Sequence, residues 1–207
     1  MPDRAVDTVV NALLHAREAH CCVAAADLAD VLTDTSQAYA VQAGVACALH
    51  WFDDAAPMYW KSGGPSREAT LTHAHLPPAG VWKSPATASH WPFNMRGIEA
   101  EVALRLGTTV DAQMAASIDE TSADALIDAM TASIEIGDSR WYEGLAAPAR
   151  PRRAGGGSMG GKSSRIRARW RRVHRSRKGS RLDSRRGWTS GRSNAHSICA
   201  PVRVASV

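Results

Sequence analysis

The sequence predicts an α+β chain: a helical layer first, short strands next, then a disordered basic tail. Three observations predict it. Apolar residues recur at helical spacing over the first fifty positions. Two later segments, "RGIEAEVALRLG" (96–107) and "ASIEIG" (132–137), alternate apolar and polar residues with a period of two. After Ala149 the aliphatic content collapses and arginine, glycine and serine take over. At 207 residues, 44% of them hydrophobic, the chain is long enough for one domain and a tail.

Taken in order, Arg4 to His15 places Ala5, Val9, Leu13 and Leu14 on one helical face. Ala24 to Leu32 repeats the pattern with Leu28, Val31 and Leu32, which predicts a second helix. Asp34-Thr35-Ser36 offers a cap to a third, from Gln37 to Leu49. These elements make residues 1–50 the helical region. From Met58 to Pro85, glycine, proline, serine and aromatic residues predict loops and short strands. The strand around Glu99 and Glu101 follows, with a turn at Gly107. A helix is expected from Ser122 to Met130, capped by Ser122, and a last strand in "ASIEIGDSRW" (132–141) closes the ordered region 51–149. No internal repeat is visible, and no secondary structure is expected from 150 to 207.

Charge divides the chain at the same place. Residues 1–149 hold 8 Lys and Arg against 19 Asp and Glu, a formal −11; residues 150–207 hold 17 against Asp183 alone, a formal +16, and the two give the net +5. The basic balance therefore belongs to the tail. Cys21, Cys22, Cys47 and Cys199 lack CxxC spacing, which argues for reduced, mostly buried thiols rather than a disulfide framework or zinc site. No basic leader with an apolar core and no run of about 18 apolar residues occurs, so a cytoplasmic chain without a membrane span is expected.

The chemistry concentrates in the strands. Glu99 and Glu101 share one strand face opposite Ile98, Ala100 and Val102, and Glu135 lies opposite Ile134 and Ile136. Two carboxylates about 6–7 Å apart on one face repel unless water or a positive charge stands between them. Three carboxylates on two strands suit a hard divalent ion, Mg²⁺ or Mn²⁺, with positions left for water and a 2-oxo acid. Periodicity alone leaves a solvated strand face as the simpler alternative. His73 and His75 would share a strand face too, yet no third nitrogen or sulfur ligand stands at a convincing spacing. Lys83 reads as a surface lysine, and Trp51, Trp60, Trp82 and Trp91 as core or lid packing.

The order of these motifs is similar to a known family. "QAYAVQ" (37–42) on a helix, "YWKSGG" (59–64), "RGIEAEVALRLG" and "SIEIGDSRW" (133–141) together resemble the 2-keto-4-pentenoate hydratase branch of the fumarylacetoacetate hydrolase superfamily, over roughly Thr35 to Pro148. The resemblance implies a partial mixed β-roll of that superfamily's type. It implies that Glu99, Glu101 and Glu135 bind Mg²⁺ or Mn²⁺ and that Lys61 lies at the substrate, as a proton-transfer group or a cation for its carboxylate. The implied substrate is a small 2-hydroxydienoate or 2-oxo acid, hydrated through a metal-stabilised enolate; a 2-oxo-3-enedioate decarboxylase is the alternative within the family. A homo-oligomer is also implied. Asp138 and Arg140 belong to the family motif, as a structural ion pair or as catalytic groups.

At Arg150 the family pattern continues with leucine- and valine-rich strands, and here an arginine-rich sequence begins instead. The tail carries 15 Arg against 2 Lys, as a GC-rich gene read out of frame would give. That explanation is preferred to a genuine nucleic-acid-binding tail using its cations with Trp170 and Trp188. Loss of the partner strands predicts open sheet edges and an exposed apolar face.

Overall fold

The computed structural model describes residues 3–52, 56–64, 68–89, 91–147, 163–165, 171–172 and 196–201. Helix α1 (Arg4–Glu18) starts where the Asp3 carboxylate accepts the Ala5 N–H, and α2 (Thr35–Ala48) where Asp34 accepts that of Gln37. The two helices pack closely at Gly44, where a Cβ would stand 2.8 Å from Val10 Cγ2. The helix expected from Ala24 to Leu32 is instead a single 3₁₀ turn, Ala26–Leu28. The Glu143 carboxylate accepts the Ala25 and Ala26 N–H groups at 2.8 and 3.0 Å, so a tertiary contact anchors the chain as a turn.

Strands β1 (Tyr59–Gly64) and β2 (Thr72–His75) form an antiparallel hairpin. Strand β3 (Gly97–Leu106) pairs antiparallel with β4 (Ile127–Gly137), and between them lie α3 (Ala112–Ser117) and α4 (Glu120–Leu126). The helix expected from Ser122 to Met130 therefore ends four residues early. Ile127 to Met130 pair with Leu106, Arg105 and Leu104, and the β3 ladder overrides their helical spacing. The cap is Asp119, with Ser122 three residues later completing a capping box.

Three short strands follow: β5 (Ser163–Arg165), β6 (Arg171–Arg172) and β7 (His196–Pro201). They correct the expectation of no secondary structure beyond 150, because ladder bonds use backbone groups that any residue supplies. The rest of the expected tail, with Trp170 and Trp188, lies outside the described residues. The seven strands form one sheet in the order β2-β1-β7-β3-β4-β5, with β6 also on β4, and only β3 and β7 run parallel. Both edges of the β3–β4 hairpin are thus paired, contrary to the expected open edges.

The main core gathers Val9, Leu13, Leu32, Val41 and Val45 around the fully buried Trp141, just past β4. Burying that indole removes about 150–250 Å² from water, of order 5 kcal/mol at ~25 cal/mol/Å². Val23 and Trp141 form a bridge, with Val23 N–H donating to Arg140 C=O at 2.8 Å and Tyr142 N–H to Val23 C=O at 2.9 Å. The helical layer is thereby locked to the end of β4. Among the described residues no helix is long and apolar enough to cross a membrane. Cys21 and Cys22 are half-buried thiols and Cys47 is exposed, so the last departs from the buried expectation.

Candidate metal centre

Alternation on β3 and β4 sets the site. Glu99, Glu101 and Ala103 point to the same face as Ser133 and Glu135, and in register Glu99 faces Glu135 while Glu101 faces Ser133. Glu101, Ala103, Ser133 and Glu135 are buried, and Glu99 is half-buried. The opposite face, from Ile98 to Leu104 on β3 and Met130 to Ile136 on β4, carries apolar residues and looks outward: Ile98 is 74% exposed, and Val102, Met130 and Ile134 are each above 40%. The polar face of the hairpin is the inner one.

Three carboxylate oxygens, one from each of Glu99, Glu101 and Glu135, lie within 4.8 Å of one another. Like charges directly opposed across an antiparallel pair destabilise it. Lys61 supplies an answer from β1: its Nζ lies 3.2 Å from both oxygens of the fully buried Glu135 carboxylate. Along a flat sheet β1 and β4 would stand three steps apart, about 14 Å at ~4.8 Å per strand. The 3.2 Å ion pair between Lys61 and Glu135 therefore crosses the two intervening strands, β7 and β3.

The donor set fits a hard divalent cation. All three candidate ligands are carboxylates, close enough to share one ion, and two are withdrawn from bulk water. The structure thus brings the four sequence-predicted residues Lys61, Glu99, Glu101 and Glu135 together at one place.

The other candidates lie elsewhere. His73 and His75 share a strand face, but that face meets rings: His73 stacks on Tyr39 at 4.5 Å, and His75 meets Phe52 and Trp60 edge-on at 5.0 and 5.7 Å. Among the described residues the three glutamates are the group able to hold a metal, and neither histidine belongs to it. Burial pulls His75 below its ordinary 6.5, opposed by a backbone hydrogen bond at Gln42 and assisted by His73. Lys83 is exposed, as expected. Trp82 and Trp91 pack against each other at 5.3 Å, and Trp51 lies under the Arg17 guanidinium.

Asp138 and Arg140 form a buried ion pair at 2.7 Å, and Asp138 Oδ1 also accepts the Asn94 and Met95 N–H groups. That arrangement pins the segment entering β3 to the segment leaving β4. Sequence reasoning missed Ser133, the buried neighbour of the glutamates, and Glu143, which anchors the 3₁₀ turn; period two marked the first, and no signal marked the second. Compared with known proteins, the chain matches no family model and no curated protein.

Proposed function

We propose that this chain carries the metal-binding part of a 2-keto-4-pentenoate hydratase-like lyase, acting on 2-hydroxy-2,4-dienoates from the breakdown of aromatic compounds. The observation that carries the proposal is the convergence of Glu99, Glu101 and Glu135 within 4.8 Å, with Lys61 at 3.2 Å from Glu135. The mixed sheet, with β3 and β7 parallel and the other pairs antiparallel, supports a partial mixed β-roll of the fumarylacetoacetate hydrolase type.

Glu99, Glu101 and Glu135 would hold Mg²⁺ or Mn²⁺, which supplies Lewis acidity to a 2-oxo acid and lowers the barrier to enolate chemistry. The chain's own residues do the rest. Glu101, Glu135 and Lys61 are buried from bulk water, which strengthens the charge interactions among them. Lys61 faces the same space, placed to hold the substrate carboxylate or to move the proton that ketonisation requires. A Lys61→Met loss confined to KM assigns the first role and a loss in kcat the second.

The test is hydration of 2-hydroxypenta-2,4-dienoate, followed as loss of its ultraviolet absorbance with and without Mg²⁺ or Mn²⁺. Metal-dependent turnover that disappears in Glu99→Ala is the expected result. Folded wild-type chain that binds Mn²⁺ and hydrates nothing refutes the hydratase activity. Release of CO₂ from a 2-oxo-3-enedioate by that chain would assign the decarboxylase instead.

A further inference from the structure

Lys61 stands where a divalent ion would have to work. Its ammonium lies 3.2 Å from both oxygens of Glu135, and the two side chains are 8% and 0% exposed. We propose that Lys61 is the resident counter-cation of the three-glutamate site, and that a divalent ion must displace it from Glu135. Lys61 thereby weakens metal binding and sets the metal concentration at which the site loads. The inference rests on the metal-centre reading above.

Carboxylates buried close together need positive charge beside them. Among the described residues Lys61 supplies one positive unit beside Glu135. An ion bound about 2.1 Å from a Glu135 oxygen would lie no more than roughly 5 Å from an ammonium that stayed in place. At that distance, in a site sheltered from water, +2 and +1 repel, and both compete for the same two Glu135 oxygens. The four-carbon stem of lysine lets the ammonium swing away while its charge persists. Metal binding is therefore an exchange of cations at Glu135, and part of the ion's binding energy is consumed in moving Lys61.

The test is a Mn²⁺ titration followed by the electron paramagnetic resonance signal of the free ion, on the wild-type chain, Lys61→Met and Lys61→Arg. The expected result is binding at least tenfold tighter in Lys61→Met, with Lys61→Arg within about threefold of wild type because it keeps the charge. Equal or weaker binding in Lys61→Met overturns the proposal while leaving the metal centre standing, as does tightening by Lys61→Arg to the same degree. Absence of Mn²⁺ binding in all three overturns both readings. Circular dichroism covers the case of a Lys61→Met chain that does not fold alone: folding on addition of Mn²⁺ supports the exchange, and failure to fold at saturating Mn²⁺ overturns it.

Discussion

Replacing Asp138 with alanine should cost a large share of the chain's stability. Its carboxylate is fully buried and does three jobs: Oδ1 accepts the N–H groups of Asn94 and Met95 at 2.9 and 2.6 Å, and Oδ2 takes Arg140 Nη1 at 2.7 Å. Arg140 is only 5% exposed, so removing its partner strands a buried cation, which costs about 3–5 kcal/mol. Each N–H group left without its acceptor adds about 1 kcal/mol or more. The terms are not additive, and a loss of about 4 kcal/mol is expected, a large share of the 5–15 kcal/mol that holds an ordinary domain together. Urea denaturation measures it. In the double variant Asp138→Ala, Arg140→Met the stranded charge is gone, so the combined loss should fall short of the sum by about 1.5–3 kcal/mol. A single-variant loss under 1 kcal/mol, or strict additivity in the double, would show that Asp138 does not clasp the two segments.

Three further outcomes follow from the packing. Because burial depresses His75, the unfolded chain binds more protons than the folded one below about pH 6.5; stability is full above that value and declines as pH falls through the folded pKa. His75→Gln should flatten that decline between pH 7 and 5, and an unchanged slope would remove His75 as its source. At Gly44, alanine should raise helix propensity by about 1 kcal/mol. The new Cβ meets Val10 Cγ2 at 2.8 Å, however, and valine has little χ1 freedom in a helix, so a net loss of about 1–2 kcal/mol is expected, relieved by Val10→Ala in the same chain. Thermal unfolding reads both variants. On the outward sheet face, Ile134→Thr should shift stability by no more than about 0.5 kcal/mol, whereas Ala103→Asp on the inner face should be severely destabilising; denaturation midpoints that rank the other way would reverse the assignment of faces.

Much of the local structure is written in short-range signals. Asp3 and Asp34 cap α1 and α2, and strict alternation marks β3 and β4 with all three glutamates on one face. What escaped has a common cause, competition from residues far away in sequence. Ala24 to Leu32 has helical spacing, but Glu143 captures its first N–H groups 118 positions away. Ile127 to Met130 has helical spacing too, but the ladder to β3 claims it. His73 and His75 share a face as period two requires, and their aromatic neighbours come from α2, the segment after it and β1. Lys61 was legible through its motif; its pairing with Glu135 depends on a strand order that no local pattern encodes.

The direction in which the β3–β4 hairpin faces is the deepest of these questions, because period two fixes which residues travel together but not which set goes inside. Area alone favours the opposite choice. Ile98, Val102, Met130 and Ile134 are all more than 40% exposed, and burying a large aliphatic side chain is worth about 1.5–3 kcal/mol. The structure forgoes several kcal/mol there, and on the inner face it also bears the desolvation of Glu101, Glu135 and Lys61. Both costs arise in one hairpin and point the same way, so no packing gain within the hairpin explains them. Lys61, reaching from β1, removes part of the inner cost by giving Glu135 a partner at 3.2 Å. At the starts of α1 and α2 and in the Trp141 core, local signals and burial agree. A hairpin that buries like charges and leaves its aliphatic face exposed departs from that agreement at a place where a ligand would offset the cost. Glu99, Glu101 and Glu135, with one oxygen of each within 4.8 Å of the others, form a cluster that could hold a divalent cation, whose charge and preference for oxygen donors suit it.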